Sequence, residues 1–131
     1  MTSTGAAVRI GIAGLLAVSA VIHAYVYISG YQHIPTIGTA FLVQASISFA
    51  IALLLLTGGP AWLCWAAAIV AGGALVAFIS SRTMGLFGFS ERGWAPSPHA
   101  AISVGAEVLT VLLWAAYLLS RRGETVNRGS A

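Results

Sequence analysis

Four stretches of this chain, each about twenty residues long, hold between them a single acidic side chain and no arginine or lysine. They run near residues 10–29, 37–57, 61–80 and 99–119. A helix rises 1.5 Å per residue, so about 20 apolar residues cross the hydrocarbon of a bilayer. Within hydrocarbon the backbone must satisfy its own hydrogen bonds, which leaves helices as the form such runs can take. The chain is therefore expected to be an all-α, four-transmembrane-helix bundle forming one membrane domain.

Composition leaves little room for a soluble alternative. Of 131 residues, 59% are hydrophobic and 7% charged, against about 25% charged in ordinary soluble domains. Too few charges exist to cover a surface facing water, so lipid is the expected neighbour. The basic residues are six arginines, scattered at Arg9, Arg82, Arg92, Arg121, Arg122 and Arg128. They form no basic stripe with interleaved aromatics, which argues against nucleic-acid binding. The lone Cys64 allows no internal disulfide and no paired-cysteine motif, and its apolar setting suits a buried, inert thiol.

Proline before a helix and glycine after it mark the expected boundaries. Arg9 opens the first run and Gly30 closes it; Pro35 precedes the second and Gly58-Gly59-Pro60 follows it. Arg82 closes the third, and Pro96 and Pro98 lead into the fourth. Val18-Ser19-Ala20 looks like a small-residue cleavage site. The apolar run exceeds a signal peptide's usual hydrophobic core of about 7–15 residues, however, and continues into aromatics, so it reads as a retained span. Residues 123–131 are polar and expected to be disordered. Arg9, Arg121, Arg122 and Arg128 fall on one side of this topology, and Arg82 and Arg92 on the other. The balance predicts cytoplasmic N- and C-termini in the cell membrane. Ala67, Ala71, Gly73, Ala74 and Ala77 form a stripe of small residues suited to close helix contact, within the bundle or in a homo-oligomer.

An ionisable side chain inside a span costs at least a few kcal/mol to bury and so points to a role. His23 and Glu107 are such residues, and Gln44 joins them as a strong hydrogen-bonding group. From the outer ends of their spans they lie about 9 Å, 12 Å and 10 Å deep. Three helices thus place their most polar groups in one layer of the outer leaflet, and convergence of the three is expected. Helical spacing extends the layer: Ser19, His23 and Tyr27 share one face, Gln44 and Ser48 another, and His99, Ser103 and Glu107 a third. The expected intramembrane site is His23, Tyr27, Gln44, Ser103 and Glu107. A histidine–glutamate pair relays protons, holds a polar ligand, or simply satisfies itself as structural glue. His23, His33, His99 and Glu107 lack the spacing of a metal motif. A haem would have only His23 and the shallower His99 as axial ligands, so no cofactor is expected.

Residues 81–98 carry Gly85-Leu86-Phe87-Gly88-Phe89 and then Ser90-Glu91-Arg92-Gly93-Trp94. An apolar, glycine-bearing loop of this kind lies on the membrane interface or dips into it. It reads first as an aromatic anchor. A sharper reading makes it a lid over the polar layer, with Glu91 and Arg92 at its rim and Tyr31, His33 and His99 beside them.

The run from His23 through Tyr25, Tyr27, Gly30, Tyr31, His33 and Pro35 to Gly38, with Phe41-Leu42 and the later Gly85-to-Glu91 segment, resembles small four-helix membrane proteins of actinobacteria. It resembles DoxX-like proteins in architecture only. The resemblance implies the fold and carries no activity with it. Without a nucleophile–base constellation or phosphate loop, the leading expectation is a non-catalytic accessory or assembly subunit, or a homo-oligomer, partnered by lipid and by other membrane subunits or itself. A small proton-coupled or cation transporter using His23 and Glu107 is the alternative, and a quinone- or haem-binding protein a third.

Overall fold

The computed structural model describes residues 2–130. Its helices are α1 (Ser3–Ile28), α2 (Ile37–Leu56), α3 (Trp62–Thr83) and α4 (His99–Gly129), with a single 3₁₀ turn at Tyr31–His33. All four are long and apolar enough to cross a bilayer. The chain is an all-α four-helix bundle and a multi-pass membrane protein. Both described chain ends and the turn at residues 57–61 lie at one end of the bundle. The segments 29–36 and 84–98 lie at the other, called here the loop end. α1 is flanked along its length by α2 and α4, and α3 leans on α4.

The start of α1 and the end of α4 differ from the sequence reading, each for an identifiable reason. α1 begins at Ser3, where the Thr2 hydroxyl accepts from the Gly5 amide at 3.1 Å. Arg9 is therefore inside the helix rather than at its mouth, and it is buried. Its guanidinium donates to the carbonyls of Gly59 at 2.5 Å and Leu55 at 3.4 Å. Leu55 stands in the last turn of α2 and Gly59 in the turn after it, where carbonyls lack helical partners and the helix dipole is negative. α4, in turn, continues to Gly129, so the disorder expected from residue 123 is not found; Ala131 lies outside the described residues. The extension is exposed throughout. A helix already nucleated in the membrane propagates into water at little cost, and Glu124 and Arg128 stand one turn apart in the favourable order.

The α2–α3 turn relies on glycine. Gly58 is left-handed at φ 87°, and the Gly59 amide bonds back to the Leu54 carbonyl at 2.8 Å. A Cβ on Gly59 would sit 2.6 Å from the Leu63 side chain and 2.8 Å from that carbonyl oxygen, so only glycine closes the turn this tightly. Next to the turn lies the core, formed by Val8, Ile12, Ala13 and Leu16 of α1, Ile51, Ala52 and Leu55 of α2, Leu63, Cys64 and Ala67 of α3, and Trp114 of α4. Trp114 meets Trp65 edge-on at 5.7 Å between ring centres.

Toward the loop end α2 and α3 part. The buried residues of α3 are Leu63, Cys64, Ala67 and Ala71, and the next is Ser81. The small-residue stripe therefore divides. Ala67 and Ala71 pack at zero exposure, whereas Gly73 is exposed and a Cβ built on it meets nothing within 4 Å. The expectation that Gly73 seats a neighbouring helix is corrected: with Ala74 and Ala77 it borders open space. Ala71→Leu should lower the melting temperature in detergent by several degrees, since overpacking costs about 1–3 kcal/mol. Gly73→Leu should leave it close to wild type. Equal losses in the two variants would mean that α2 and α3 do not part in the membrane.

Candidate functional site

Glu107 faces the centre of the bundle and is 2% exposed. Ser103, one turn earlier on α4, donates to its Oε1 at 2.9 Å, and Ser19 of α1 donates to the same oxygen at 2.8 Å. The two hydroxyls are 3.4 Å apart. One turn from Ser19, His23 places Nε2 3.9 Å from Glu107 Oε1, within ion-pair range though long for a direct hydrogen bond. The other ring nitrogen settles the tautomer. Nδ1 lies 2.9 Å from the Ser19 carbonyl, which can only accept, so Nδ1 carries hydrogen and Nε2 is left to face the carboxyl group. The pair can hold one proton between them in either of two places. The same two serines that satisfy the acid also join α1 to α4.

A cavity of about 190 Å³ opens beside this cluster, between α2 and α3 at the loop end. His23 and Ser103 reach its wall; Phe41, Ala77 and Phe78 supply apolar lining, and Gln44 faces it from α2. Gln44 does not join the carboxyl group. Its Nε2 is buried and has no hydrogen-bond partner. The expected convergence of His23, Gln44 and Glu107 is thus reduced to two of the three, with Ser19 and Ser103 in the place assigned to Gln44. Depth along each helix is fixed by its rise, but the direction a side chain takes around the helix is set by contacts that spacing on one helix does not reveal. Tyr27 is half-buried and lies outside the cavity wall.

The loop end closes over the cavity. The backbones of Leu86 and Phe89 exchange hydrogen bonds at 2.7 and 2.8 Å, pinching a tight turn with Phe87 exposed at its tip. Leu86, Phe89 and Glu91 turn inward as part of the cavity wall. Glu91 accepts a hydrogen bond from the Tyr31 hydroxyl and pairs with Arg82 at 3.0 Å. Burial pushes the Tyr31 phenol well above its ordinary range, and the neighbouring Glu91 carboxylate adds to the shift, so Tyr31 remains a donor. Arg82 also donates to the carbonyls of Gly93 and Ala95 and lies 4.0 Å over the Phe78 ring. Tyr31 rests on Phe41 at 5.1 Å, and Phe41 on His23 at 5.0 Å, which connects the lid to the polar cluster.

Of the residues expected at the rim, Tyr31 and Glu91 are there. Arg92 and His33 are exposed, and His99 stacks on Tyr25 at 4.7 Å, away from the cavity wall. Arg82 holds Glu91 where Arg92 was expected, because α3 runs past Ser80 to Thr83 and carries Arg82 under the loop. The Ser19–His23 spacing signalled Ser19's place in the cluster; only the length of α3, which sequence underestimates, would have signalled Arg82. Among the described residues no three His, Cys, Asp or Glu side chains gather as a metal centre would require. On the other side of Glu107 the interior is largely apolar: Thr110 bonds its own helix at 2.8 Å, Ser48 Oγ and Trp114 Nε1 are buried without a partner, and Ile12, Leu16 and Leu63 stand at 0–1% exposure. No protein-family model, curated protein or solved structure matches the chain.

Removing the Glu107 carboxyl strands two buried hydroxyls, so Glu107→Ala should cost about 1–3 kcal/mol in reversible unfolding from mixed micelles. Combined with Ser103→Ala, it should cost less than the sum of the two by at least about 0.5 kcal/mol. Combined with Gln44→Leu, it should be additive. Coupling to Gln44 rather than to Ser103 would mean that the carboxyl group is held differently from this geometry.

Proposed function

We propose that this protein binds a lipid-soluble small molecule between α2 and α3, as a non-catalytic accessory component of the cell membrane with cytoplasmic termini. The observation that carries the reading is the cavity of about 190 Å³ where α2 and α3 part, lined largely by apolar side chains such as Ile22, Val26, Phe41 and Phe78. Apolar space at parted helices favours a molecule that is already dissolved in the surrounding hydrocarbon. The volume suits a modest occupant: an apolar cavity of about 150 Å³ accepts benzene. The quinone-binding alternative falls within this class, with His23 and Gln44 among the lining residues and Tyr27 outside them. The architectural resemblance to small actinobacterial and DoxX-like four-helix proteins is compatible with it and assigns no ligand.

Proton-coupled or cation transport draws its support from the proton that His23 and Glu107 hold between them. It requires a continuation on the far side of Glu107, where Thr110 is bonded to its own helix and Ser48 Oγ and Trp114 Nε1 are buried without a partner among Ile12, Leu16 and Leu63.

Two measurements test the reading. Protein extracted in mild detergent should carry a stoichiometric lipophilic molecule detectable by native mass spectrometry, and Ala77→Trp, which fills the cavity, should abolish it. Proteoliposomes enclosing a pH-sensitive dye should leak protons no faster than protein-free vesicles. A flux that disappears in Glu107→Gln would replace the binding reading with transport.

A further inference from the structure

The end of the bundle opposite the lid carries Arg9, Arg121, Arg122 and Arg128 against a single acid, Glu124. Arg9 is committed to the carbonyls of Leu55 and Gly59 inside the bundle. Arg121, Arg122 and Arg128 are exposed on the extension of α4. Among the described residues, none of these three stands within 4.0 Å of a carboxylate. Arg121 and Arg128 fall on one face of the extension, two turns apart, together with Tyr117 and Glu124. With Thr2 and Thr4 at the start of α1, these four residues line an open groove. The Thr2 hydroxyl is already used by the Gly5 amide, and Arg121 lies 5.9 Å over the Tyr117 ring. The groove therefore presents two guanidinium groups against one carboxylate.

The length of α4 places the groove relative to the bilayer. About 20 residues of helix cross the hydrocarbon, so a span counted from His99 meets its far edge near Leu119. Tyr117 then stands at the interface, where aromatic rings gather. Arg121 lies about 3 Å beyond the edge and Arg128 about 14 Å beyond it, against a headgroup layer about 5–8 Å deep. Side chains tilt toward the N-terminus of their helix, and on this stretch of α4 that direction is back toward the membrane. Arg128 thus leans toward the layer that Arg121 already occupies. The groups this layer offers to a guanidinium are phosphates, whose oxygens match its paired donors.

We infer that the groove between the start of α1 and the extension of α4 holds the phosphate of an anionic phospholipid, bound by Arg121 and Arg128. A zwitterionic headgroup brings an ammonium that two arginines repel, so an anionic lipid is the class the groove selects. Glu124, the one carboxylate in the groove, opposes the phosphate and limits its affinity. The inference is independent of the cavity between α2 and α3, which lies at the other end of the bundle.

Dioleoyl phosphatidylglycerol and dioleoyl phosphatidylcholine share their chains and differ in net charge. Each is titrated into the full-length protein in mild detergent, and the first bound lipid is read by native mass spectrometry. Phosphatidylglycerol should bind at least about tenfold more tightly, the margin expected of two arginines beside an anionic headgroup. That margin should vanish when Arg121→Gln and Arg128→Gln are combined; both side chains are exposed and glutamine is a good helix former, so the fold is kept. It should widen in Glu124→Gln and stay unchanged in Arg92→Gln, at the other end of the bundle. Equal binding of the two lipids, or a preference that survives the double variant, would overturn the inference. So would a preference lost as fully in Arg92→Gln, which would mean general attraction of charge rather than a site. Inorganic phosphate at matched ionic strength should leave phosphatidylglycerol bound; displacement would overturn the lipid assignment in favour of a soluble phosphate.

Discussion

A carboxyl group in the middle of a membrane bundle has to be reconciled with its surroundings, and the way Glu107 is reconciled organises much of this protein. Its Oε1 receives hydroxyls from two different helices. Those bonds fix the rotation of α1 against α4, because turning either helix by one residue would withdraw a donor. The fixed rotation of α1 places His23 one turn from Ser19, where a backbone carbonyl selects its tautomer and Nε2 faces the acid. In lipid, helices gain little by hiding apolar surface from one another. A directional polar contact of this kind therefore carries much of the specificity that a hydrophobic core supplies in water.

The two ends of the bundle resolve different problems. Near the α2–α3 turn, small and branched side chains interlock around Trp114, and Arg9 supplies carbonyls at the end of α2 and in the turn after it with donors from a neighbouring helix. At the loop end, contact between α2 and α3 is replaced by a lid whose polar members satisfy one another. The division explains how one short chain holds both a close-packed half and a half with room in it. It also explains why a buried arginine occurs without an acidic partner: unpaired helix carbonyls offer the compensation that a carboxylate would otherwise provide.

Much of this was legible in the sequence, and the failures have a common cause. The number of spans, the glycine turn and the depth of each polar residue follow from one-dimensional quantities: run length, local chemistry and rise per residue. Ser19 with His23, and Ser103 with Glu107, follow from helical spacing. Gln44 was misplaced because depth was known and direction around the axis was not. Gly73 was misread for the same reason, since a small residue permits close approach without requiring it. Arg9 and Arg82 were read as boundary markers, yet an arginine side chain is long enough to find carbonyls or a carboxylate from inside a helix.

The parting of α2 and α3 also has a mechanical meaning. Lipid chains exert lateral pressure on whatever they surround, and that pressure bears differently on the two halves of this bundle. At the turn end it meets interlocked side chains that are close to incompressible. At the loop end it meets a cleft with little behind Gly72 and Gly73 to resist it. Thicker or more tightly ordered lipid therefore works to close the cleft, and thinner or looser lipid to relax it, with the Gly58–Gly59 turn as the fulcrum.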